Sequence, residues 1–210
     1  MKIAIIGAGN VGATLGSRWA KGGHEVIFAV RDPHNEKVQP LIQSIGRNAC
    51  VDSIEQAVTK SEVVLLATPW SAVKDAVRAA GNLKEKILID CTNPLKEDLS
   101  GLSVGFSTSA AEEIAHWAKG ARVVKAFNTI GTKNMANPAY GQDRVSMFIC
   151  GDDNAAKKTV SGLAEELDFH VVDTGPLMTA RYLEPMAMLW IQMAFTGGYG
   201  EDFAFKMLKR

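Results

Sequence analysis

The sequence predicts an α/β fold of the Rossmann type, a doubly wound parallel sheet followed by a small helical C-terminal lobe. Short apolar runs alternate with segments of helical periodicity along most of the 210 residues. The runs are rich in Val and Ile and lack polar alternation, which is typical of strands buried on both faces of a parallel sheet. A glycine-rich turn joins the first run to the first helical segment.

Strands are predicted where apolar and β-branched residues form runs, and helices where apolar residues recur every three or four positions. The predicted strands are Lys2–Ile6, Glu25–Val30, Ala49–Val51, Val63–Ala67, Ile87–Asp90, Arg122–Ala126, Val145–Cys150 and Phe169–Val172. The predicted helices are Val11–Lys21, Lys37–Ser44, Ser71–Ala80, Ala110–Ala118 and Asn154–Leu167. Right-handed crossovers then place the carboxyl ends of the strands along one edge, where ligands bind in such folds.

The pattern changes after Pro176, where apolar residues recur at helical spacing without another strand. We therefore predict a sheet domain over residues 1–150 and a small lobe over residues 151–210. An apolar helix of this kind usually packs on a core, and a surface between subunits is the alternative. The stripe consists of Leu177, Tyr182, Leu183, Met186, Leu189, Trp190 and Met193.

The composition argues against several classes of protein. Basic and acidic residues balance at 23 each, so we expect neither a nucleic-acid partner nor an electrostatic membrane anchor. The apolar stretch PMAMLWIQMAF is too short to cross a bilayer, and the N-terminus is unlike a signal peptide, so a cytoplasmic location is expected. The cysteines and histidines are scattered, which predicts free thiols and no metal site.

The first turn, Gly7-Ala8-Gly9-Asn10-Val11-Gly12, has the spacing GxGxxG between a predicted strand and a predicted helix. In that context the motif predicts a dinucleotide phosphate site. Gly7 permits the tight turn, Gly9 lets the backbone approach a pyrophosphate, and Gly12 lets the helix pack on the strand. Free amides at the helix start would meet the phosphate charge. A purely structural turn is the alternative.

The end of the second strand bears on the choice between NAD and NADP. NAD sites usually place an acidic residue there to bind the ribose 2′-hydroxyl. Here the strand ends without an acid and Arg31 follows, whose guanidinium suits a phosphate in charge and geometry. Lys37 can add positive charge, and Asp32 is interpreted as a turn residue before Pro33. We predict NADP, with NAD and a merely solvated Arg31 as alternatives.

Polar residues and proline follow three more strands at the same edge, which favours a lined pocket. These turns contain Thr68, Pro69 and Trp70, then Thr92, Asn93 and Pro94, then Phe127, Asn128 and Thr129. Pro69 and Trp70 are expected to form an apolar wall for the nicotinamide, and Asn93 is expected to bond its carboxamide. Asn128 and Thr129 are expected to hold a second substrate.

No pair of histidine and carboxylate stands on these turns, so the catalytic residue stays unknown. Lys125 and Lys133 are candidate bases, with structural or solvated roles favoured. Alcohol dehydrogenation generally needs a positioned acid or base. Hydride transfer between two redox rings depends less on an acid or base from the protein, because the cofactors carry the chemistry and the protein orients them.

The segments GAGNVG, VRDP, ATPW, DCTNP, RVVKAFNT and DTGPL…ARYLEPMAMLW together resemble the NADP-dependent coenzyme F420 oxidoreductases, from Met1 to about Phe195. The resemblance implies an enzyme that passes hydride between NADP(H) and the deazaflavin F420 or a flavin-like acceptor. It implies a Rossmann domain, a lobe that completes the acceptor cleft, and a homodimer. The implied pyrophosphate contacts are Ala8, Gly9, Asn10 and Val11, with Arg31 on the 2′-phosphate and Pro69 and Trp70 near the nicotinamide.

Other functions stay open beside this one. A non-catalytic NADP-binding sensor would use the same fold, and a blocked cleft over the nicotinamide would favour it. An open slot bordered by Trp70 and Asn128 would favour an enzyme. Similar domains reduce flavin for iron reduction, which is a further alternative. A dehydrogenase like the 6-phosphogluconate group is disfavoured by the short tail and the missing base.

Overall fold

The computed structural model describes residues 1–34 and 38–210, so the expected charge of Lys37 lies outside the described residues. The strands are β1 Lys2–Ile6, β2 Glu25–Val30, β3 Ala49–Ser53, β4 Val63–Leu66, β5 Ile87–Asp90, β6 Arg122–Lys125, β7 Ala139–Tyr140, β8 Asp143–Arg144, β9 Ser146–Gly151 and β10 His170–Asp173. The helices are α1 Asn10–Lys21, α2 Gln39–Ile45, α3 Ile54–Lys60, α4 Trp70–Ala79, α5 Ala110–Trp117, α6 Thr132–Ala136, α7 Asn154–Glu165 and α8 Ala180–Ile191.

The main sheet has the strand order β10-β9-β6-β5-β4-β1-β2-β3. Strands β1 to β6 are parallel and follow the Rossmann order, which confirms the predicted fold class. The order reverses between β1 and β4, so a crevice forms beyond their carboxyl ends. Strand β9 runs antiparallel to β6, and β10 is parallel to β9, a reversal that the apolar runs did not predict.

The predicted division of the chain at residue 150 stays a prediction. That position falls inside β9, which ends at Gly151 and belongs to the same sheet as β1 to β6. Beyond the sheet, a short 3-10 turn at Leu177–Thr179 leads into α8, and a π-helical turn at Gln192–Thr196 follows it.

Apolar layers cover both faces of the sheet, as the uninterrupted apolar runs predict. Ile3 and Ile5 point to one layer, which contains Trp19 and Phe28. Their neighbours in β1 point to the other layer, against α3 and α4. Both faces of β1 are therefore packed, which fixes the position of the turn that follows it.

Helix α8 packs against α5 and buries only part of its apolar stripe. Leu183 and Trp190 are buried, whereas Tyr182 and Leu189 are exposed. The tail returns to this helix, because the Trp190 indole donates to the Phe203 carbonyl oxygen at 3.0 Å and stacks on its ring. Among the described residues, no helix combines the length and apolar character that crossing a membrane requires.

Candidate active site

A cleft of about 1010 Å³ opens at the carboxyl edge of the sheet, where β1 and β4 separate two halves of the fold. This volume is at the upper end of the range for ligand pockets. The lining comes from the turns after β1, β4 and β5 and from the loop that follows β5. It consists of Gly9, Asn10, Val11, Ala67, Thr68, Pro69, Trp70, Ser71, Cys91, Thr92, Asn93, Leu95, Lys96, Glu97, Asp98, Leu99 and Ser103.

The three glycines of the first turn are required, or tolerated, for different local reasons. Gly7 has a φ of +111°, and a Cβ on it would lie 2.4 Å from the Ala67 oxygen. A Cβ on Gly12 would lie 2.0 Å from the Gly7 oxygen, so this helix approaches its strand too closely for a side chain. A Cβ on Gly9 would meet nothing within 4 Å. Gly7 and Gly12 therefore satisfy the fold, and Gly9 leaves open space in front of the helix.

The start of α1 is open to an anion. Gly9 is its N-cap, no side chain bonds the first-turn amides, and the first turn contains no acidic residue. Amides at a helix start have no partner inside the helix, and the helix dipole makes this end positive. Thr68, also in the cleft lining, has a buried hydroxyl without a hydrogen-bond partner among the described residues. These unsatisfied donors fit a bound dinucleotide phosphate.

The residues after β2 lie beside this turn, because β2 pairs with β1. Asp32 accepts a hydrogen bond from the His34 amide at 3.0 Å, which confirms the turn role expected for it. Arg31 is exposed at the end of β2 and is not part of the cleft lining in the described part of the chain. Its contact with a 2′-phosphate stays a prediction.

A fixed aromatic wall bounds the cleft after β4. Pro69 is the N-cap of α4 and Trp70 is its first residue. The Trp70 ring stacks on Trp117, with centroids 5.7 Å apart and planes 27° apart. The Lys74 ammonium lies 5.6 Å from the centre of the Trp117 ring on α5. Pro69 and Trp70 therefore line the cleft, with the indole held by packing, and their role as a wall for the nicotinamide stays a prediction.

Asn93 lines the cleft, but Asn128 and Thr129 do not, contrary to the expected arrangement. Asn128 and Thr129 are only 5% and 3% exposed. The Asn93 side-chain amide donates to the Asn128 carbonyl oxygen at 2.9 Å, and the Asn128 side-chain amide donates to Asn93 Oδ1 at 3.1 Å. Asn128 also donates to the Leu183 oxygen at 3.1 Å. Helix α8 covers this turn, so Asn128 contacts Asn93 from behind.

Pro94 is also buried and absent from the described lining. Gly7, Ala8 and Gly12 of the first turn are absent from that lining as well. The lobe after residue 150 contributes no described residue to the lining. Its expected role in completing the cleft stays a prediction, and its Leu183 oxygen accepts a hydrogen bond from Asn128 behind the cleft.

A buried ionic group below the cleft was not predicted from the sequence. The Lys125 ammonium donates to Asp90 Oδ2 at 2.8 Å, to Glu184 Oε1 at 2.8 Å and to the Thr92 carbonyl oxygen at 2.7 Å. Burial acts to lower the pKa of Lys125, but the two carboxylates outweigh burial and leave that pKa raised. All three ammonium hydrogens are engaged, so Lys125 is unsuited to act as a base. Lys133, the other candidate, is exposed and pairs with Asp202.

The strand-end turns in the cleft hold no proton-transfer pair. Cys91 donates its thiol hydrogen to the Leu66 oxygen at 3.1 Å, and burial raises the pKa of this thiol far above its usual range. It therefore stays neutral. The charged side chains of the lining, Lys96, Glu97 and Asp98, lie on the exposed loop after β5.

Comparison with known proteins shows which family the chain belongs to. The family described as NADP oxidoreductase, coenzyme F420-dependent, matches residues 2–94. The F420-dependent NADP reductase of Methanothermobacter thermautotrophicus is 30% identical over 215 residues, covering 92% of this chain and 89% of that protein. The chain belongs to this family. Its membership confirms the predicted NADP-dependent oxidoreductase class.

The chain is also similar to two further proteins. A crystal structure from Arthrobacter sp. FB24, provisionally named an F420-dependent NADP reductase, has a TM-score of 0.90 and 32% identity over 100% of both chains. Rat metalloreductase STEAP3 is 31% identical over 188 residues, or 89% of this chain. The chain spans 36% of the length of STEAP3, so this match concerns one part of a longer protein.

Proposed function

We propose that this family member transfers a hydride between NADP(H) and a redox-active ring, with the deazaflavin F420 as first acceptor and a flavin as second. One observation carries the proposal. The cleft is lined by the open helix start of α1 and by Pro69 and Trp70 on the neighbouring turn, and its described strand-end turns contain no proton-transfer pair. Such a site orients two rings and leaves the chemistry to them.

The phosphate end would hold the dinucleotide through the backbone. The amides of Ala8, Gly9, Asn10 and Val11 would meet the pyrophosphate, and Gly7 and Gly12 would shape the turn around it. The open space at Gly9 and the unsatisfied Thr68 hydroxyl support this assignment. Arg31 would bind the 2′-phosphate at the end of β2, where a guanidinium offers charge and a bidentate geometry.

The nicotinamide would lie at the other end of the cleft. Pro69 and Trp70 would pack on the ring, and Asn93 would bond its carboxamide, with Pro94 closing the turn behind it. Asn128 would keep Asn93 in place through their paired hydrogen bonds, and Thr129 would support the same turn. The acceptor would then border the loop 95–99.

The reaction balances without a protein base. The hydride leaves the reduced nicotinamide with both electrons and bonds to the acceptor ring, while solvent supplies the accompanying proton. NADPH becomes NADP⁺, and the acceptor gains two electrons. The open cleft favours this enzyme over a non-catalytic sensor, for which a blocked cleft was expected.

We also propose that two copies of the chain pair through the exposed side of the C-terminal segment. Met178, Tyr182, Leu189 and Phe195 are 50%, 71%, 53% and 64% exposed, and apolar surface of this kind is typical of subunit contacts. Light scattering at micromolar concentration should give the mass of a dimer. A monomeric mass would contradict this arrangement.

Stopped-flow mixing of the protein and NADPH with F420, FMN, FAD or riboflavin tests the reaction. With F420 as acceptor, NADPH deuterated at the transferred position should leave deuterium on a ring carbon without exchange into solvent. With a flavin the hydride reaches a ring nitrogen whose hydrogen exchanges with water, so that reaction is followed by the loss of NADPH absorbance. If none of the deazaflavin and flavin acceptors oxidises NADPH, the result would contradict the proposal and favour the sensor. Oxidation with flavins alone, coupled to reduction of a ferric chelate, would favour a flavin or ferric reductase, which the similarity to STEAP3 supports.

A further inference from the structure

The buried triad consists of Asp90 at the end of β5, Lys125 at the end of β6 and Glu184 on α8. All three side chains are excluded from solvent, at 0% exposure for each residue. The proposed reaction uses none of them. Their position directly beneath a cleft turn raises the question of what this enclosed charge does.

The triad holds one residue of the cleft floor from both sides. Asp90 Oδ1 accepts from the Thr92 amide at 2.8 Å and from the Thr92 hydroxyl at 2.7 Å. Lys125 donates to the Thr92 carbonyl oxygen at 2.7 Å. The backbone of Thr92 therefore has its direction set by charge-assisted bonds, which are stronger than neutral ones. Asn93, the next residue, faces the cleft.

Glu184 connects this arrangement to two helices. Its carboxylate accepts from the Ala110 amide at 2.9 Å and from the Ala111 amide at 3.2 Å, at the start of α5. The carbonyl oxygen of the preceding residue, Leu183, accepts a hydrogen bond from the Asn128 side chain, which is itself bonded to Asn93. Helix α8 thus contacts the Asn128 turn directly and is linked to the Thr92–Asn93 turn through Lys125.

The charge state of the triad follows from its partners. Each hydrogen-bond partner of the Asp90 and Glu184 carboxylates is a donor, which requires the ionised form of both groups. Burial leaves the pKa of Glu184 raised overall, although Lys125 and the Ala110 amide oppose that rise. One ammonium and two carboxylates leave one surplus negative charge, which the positive start of α5 offsets.

A buried ion group of this kind is weak evidence for stability, because apolar residues of similar volume often stabilise a core as well. It supplies direction, which apolar packing lacks. We propose that the triad, through Lys125, positions the Thr92–Asn93 turn and so sets the orientation of the nicotinamide. This inference rests on the proposed function in placing the nicotinamide at Asn93.

The test compares the wild-type protein with the double variant Lys125→Met/Glu184→Gln. The double variant removes one positive and one negative charge, so the surplus of one negative charge is unchanged. NADPH is titrated into each protein, and the fluorescence of the bound nicotinamide is recorded with the dissociation constant. The dissociation constant should stay within about twofold, because the phosphate turn shares no bond with the triad. The emission should change, and turnover should fall by about tenfold to a hundredfold.

Two matched variants separate positioning from general loss of stability. Lys157→Met breaks the partly buried pair of Lys157 with Asp173, at 2.8 Å, on the far edge of the sheet. It should leave emission and turnover unchanged. Glu184→Gln alone keeps Lys125 bonded to Asp90 and Thr92, and it should retain most of the wild-type emission.

The outcomes distinguish the inference from the proposed function. A folded double variant with wild-type emission and turnover would overturn the triad's role. If the wild type binds NADPH but no acceptor oxidises it, the proposed reaction fails and the emission comparison still decides about the triad. If the double variant does not fold, Asp90→Asn takes its place, because it has the same shape and replaces the carboxylate that bonds both the Thr92 amide and the Lys125 ammonium with a neutral group. Unchanged emission in that variant would overturn the inference.

Discussion

Two helices of this chain begin in opposite ways. Helix α1 begins after Gly9, with no side chain on its first amides and no acidic residue in its first turn. Helix α5 begins after Ser109, whose hydroxyl accepts from the Glu112 amide. The Glu184 carboxylate accepts from the Ala110 and Ala111 amides of the same helix start. One helix start is open at the cleft, and the other is filled by a carboxylate of the chain itself.

The difference teaches where a ligand is expected. Amides at a helix start must find a partner, and a carboxylate or phosphate is favoured there by the dipole. In α5 the partner is internal, so the helix start holds the fold together. In α1 the described residues supply none, and the start faces the cleft. The open helix start is therefore the one assigned to the cofactor.

The largest effect is expected from breaking the filled end. Lys125→Met leaves the carboxylates of Asp90 and Glu184 buried without their cation. The free energy of unfolding should fall by about 3–5 kcal/mol, as for other buried pairs that lose one partner. Urea denaturation measures this change. Addition of Glu184→Gln should recover part of the loss, and a single variant as stable as the wild type would show that these charges are not coupled.

A second variant makes the open end resemble the filled one. In Gly9→Asp the new side chain has room, because a Cβ at Gly9 meets nothing within 4 Å. Its carboxylate should cap α1 and raise the free energy of unfolding by about 0.5 kcal/mol. The same charge should weaken NADPH binding by about a hundredfold or more, since it occupies the phosphate position. Calorimetric titration measures the affinity.

Gly9→Asn is the matched control for that variant. It has nearly the same size and also caps a helix, but it carries no charge. It should weaken NADPH binding less than Gly9→Asp does. Equal affinities in the two variants would indicate that space alone, without charge, decides binding at the start of α1.

Arg31→Ala sharpens the comparison at the edge of the open end. Loss of one charge-assisted contact should cost NADPH binding about 1–3 kcal/mol and leave NADH binding nearly unchanged. Titration of both cofactors against both proteins checks this. Equal affinity of the unmutated protein for NADPH and NADH would contradict the assignment of Arg31 to the 2′-phosphate.

The smallest effect concerns the cap of α5. The hydrogen bond from Arg181 lowers the pKa of Glu112, and Ser109 contributes in the same direction. A carboxyl whose pKa is lowered on folding stabilises the protein above its unfolded pKa and loses this contribution as the pH falls through the folded value. The Tm should therefore drop more steeply below about pH 4.5 in the wild type than in Glu112→Gln, by about 2 °C. Parallel slopes would contradict this role.

Local sequence patterns predicted the open start of α1 better than the buried charges that fill the start of α5. Gly7 to Gly12 lie in one turn, and strands β1 and β2 were predicted with their observed bounds. Lys125 and Glu184 are 59 residues apart, so no local window contains both. The turn at Asn128 resembles the turn at Asn93, but a helix from another part of the chain covers it. The reversed direction of β9 likewise depends on its neighbours in the sheet.

The enclosed charge of Lys125 also constrains how this sequence can change over generations. Replacement of Lys125 alone leaves two buried carboxylates without their cation, so that one-step change passes through a poorly folded protein, whereas loss of one carboxylate leaves Lys125 paired with the other. Acceptable routes that replace Lys125 alter two of these positions together. Among descendants of this chain, we expect the identities of the three residues to be inherited as a set, while exposed neighbours such as Lys119 drift independently.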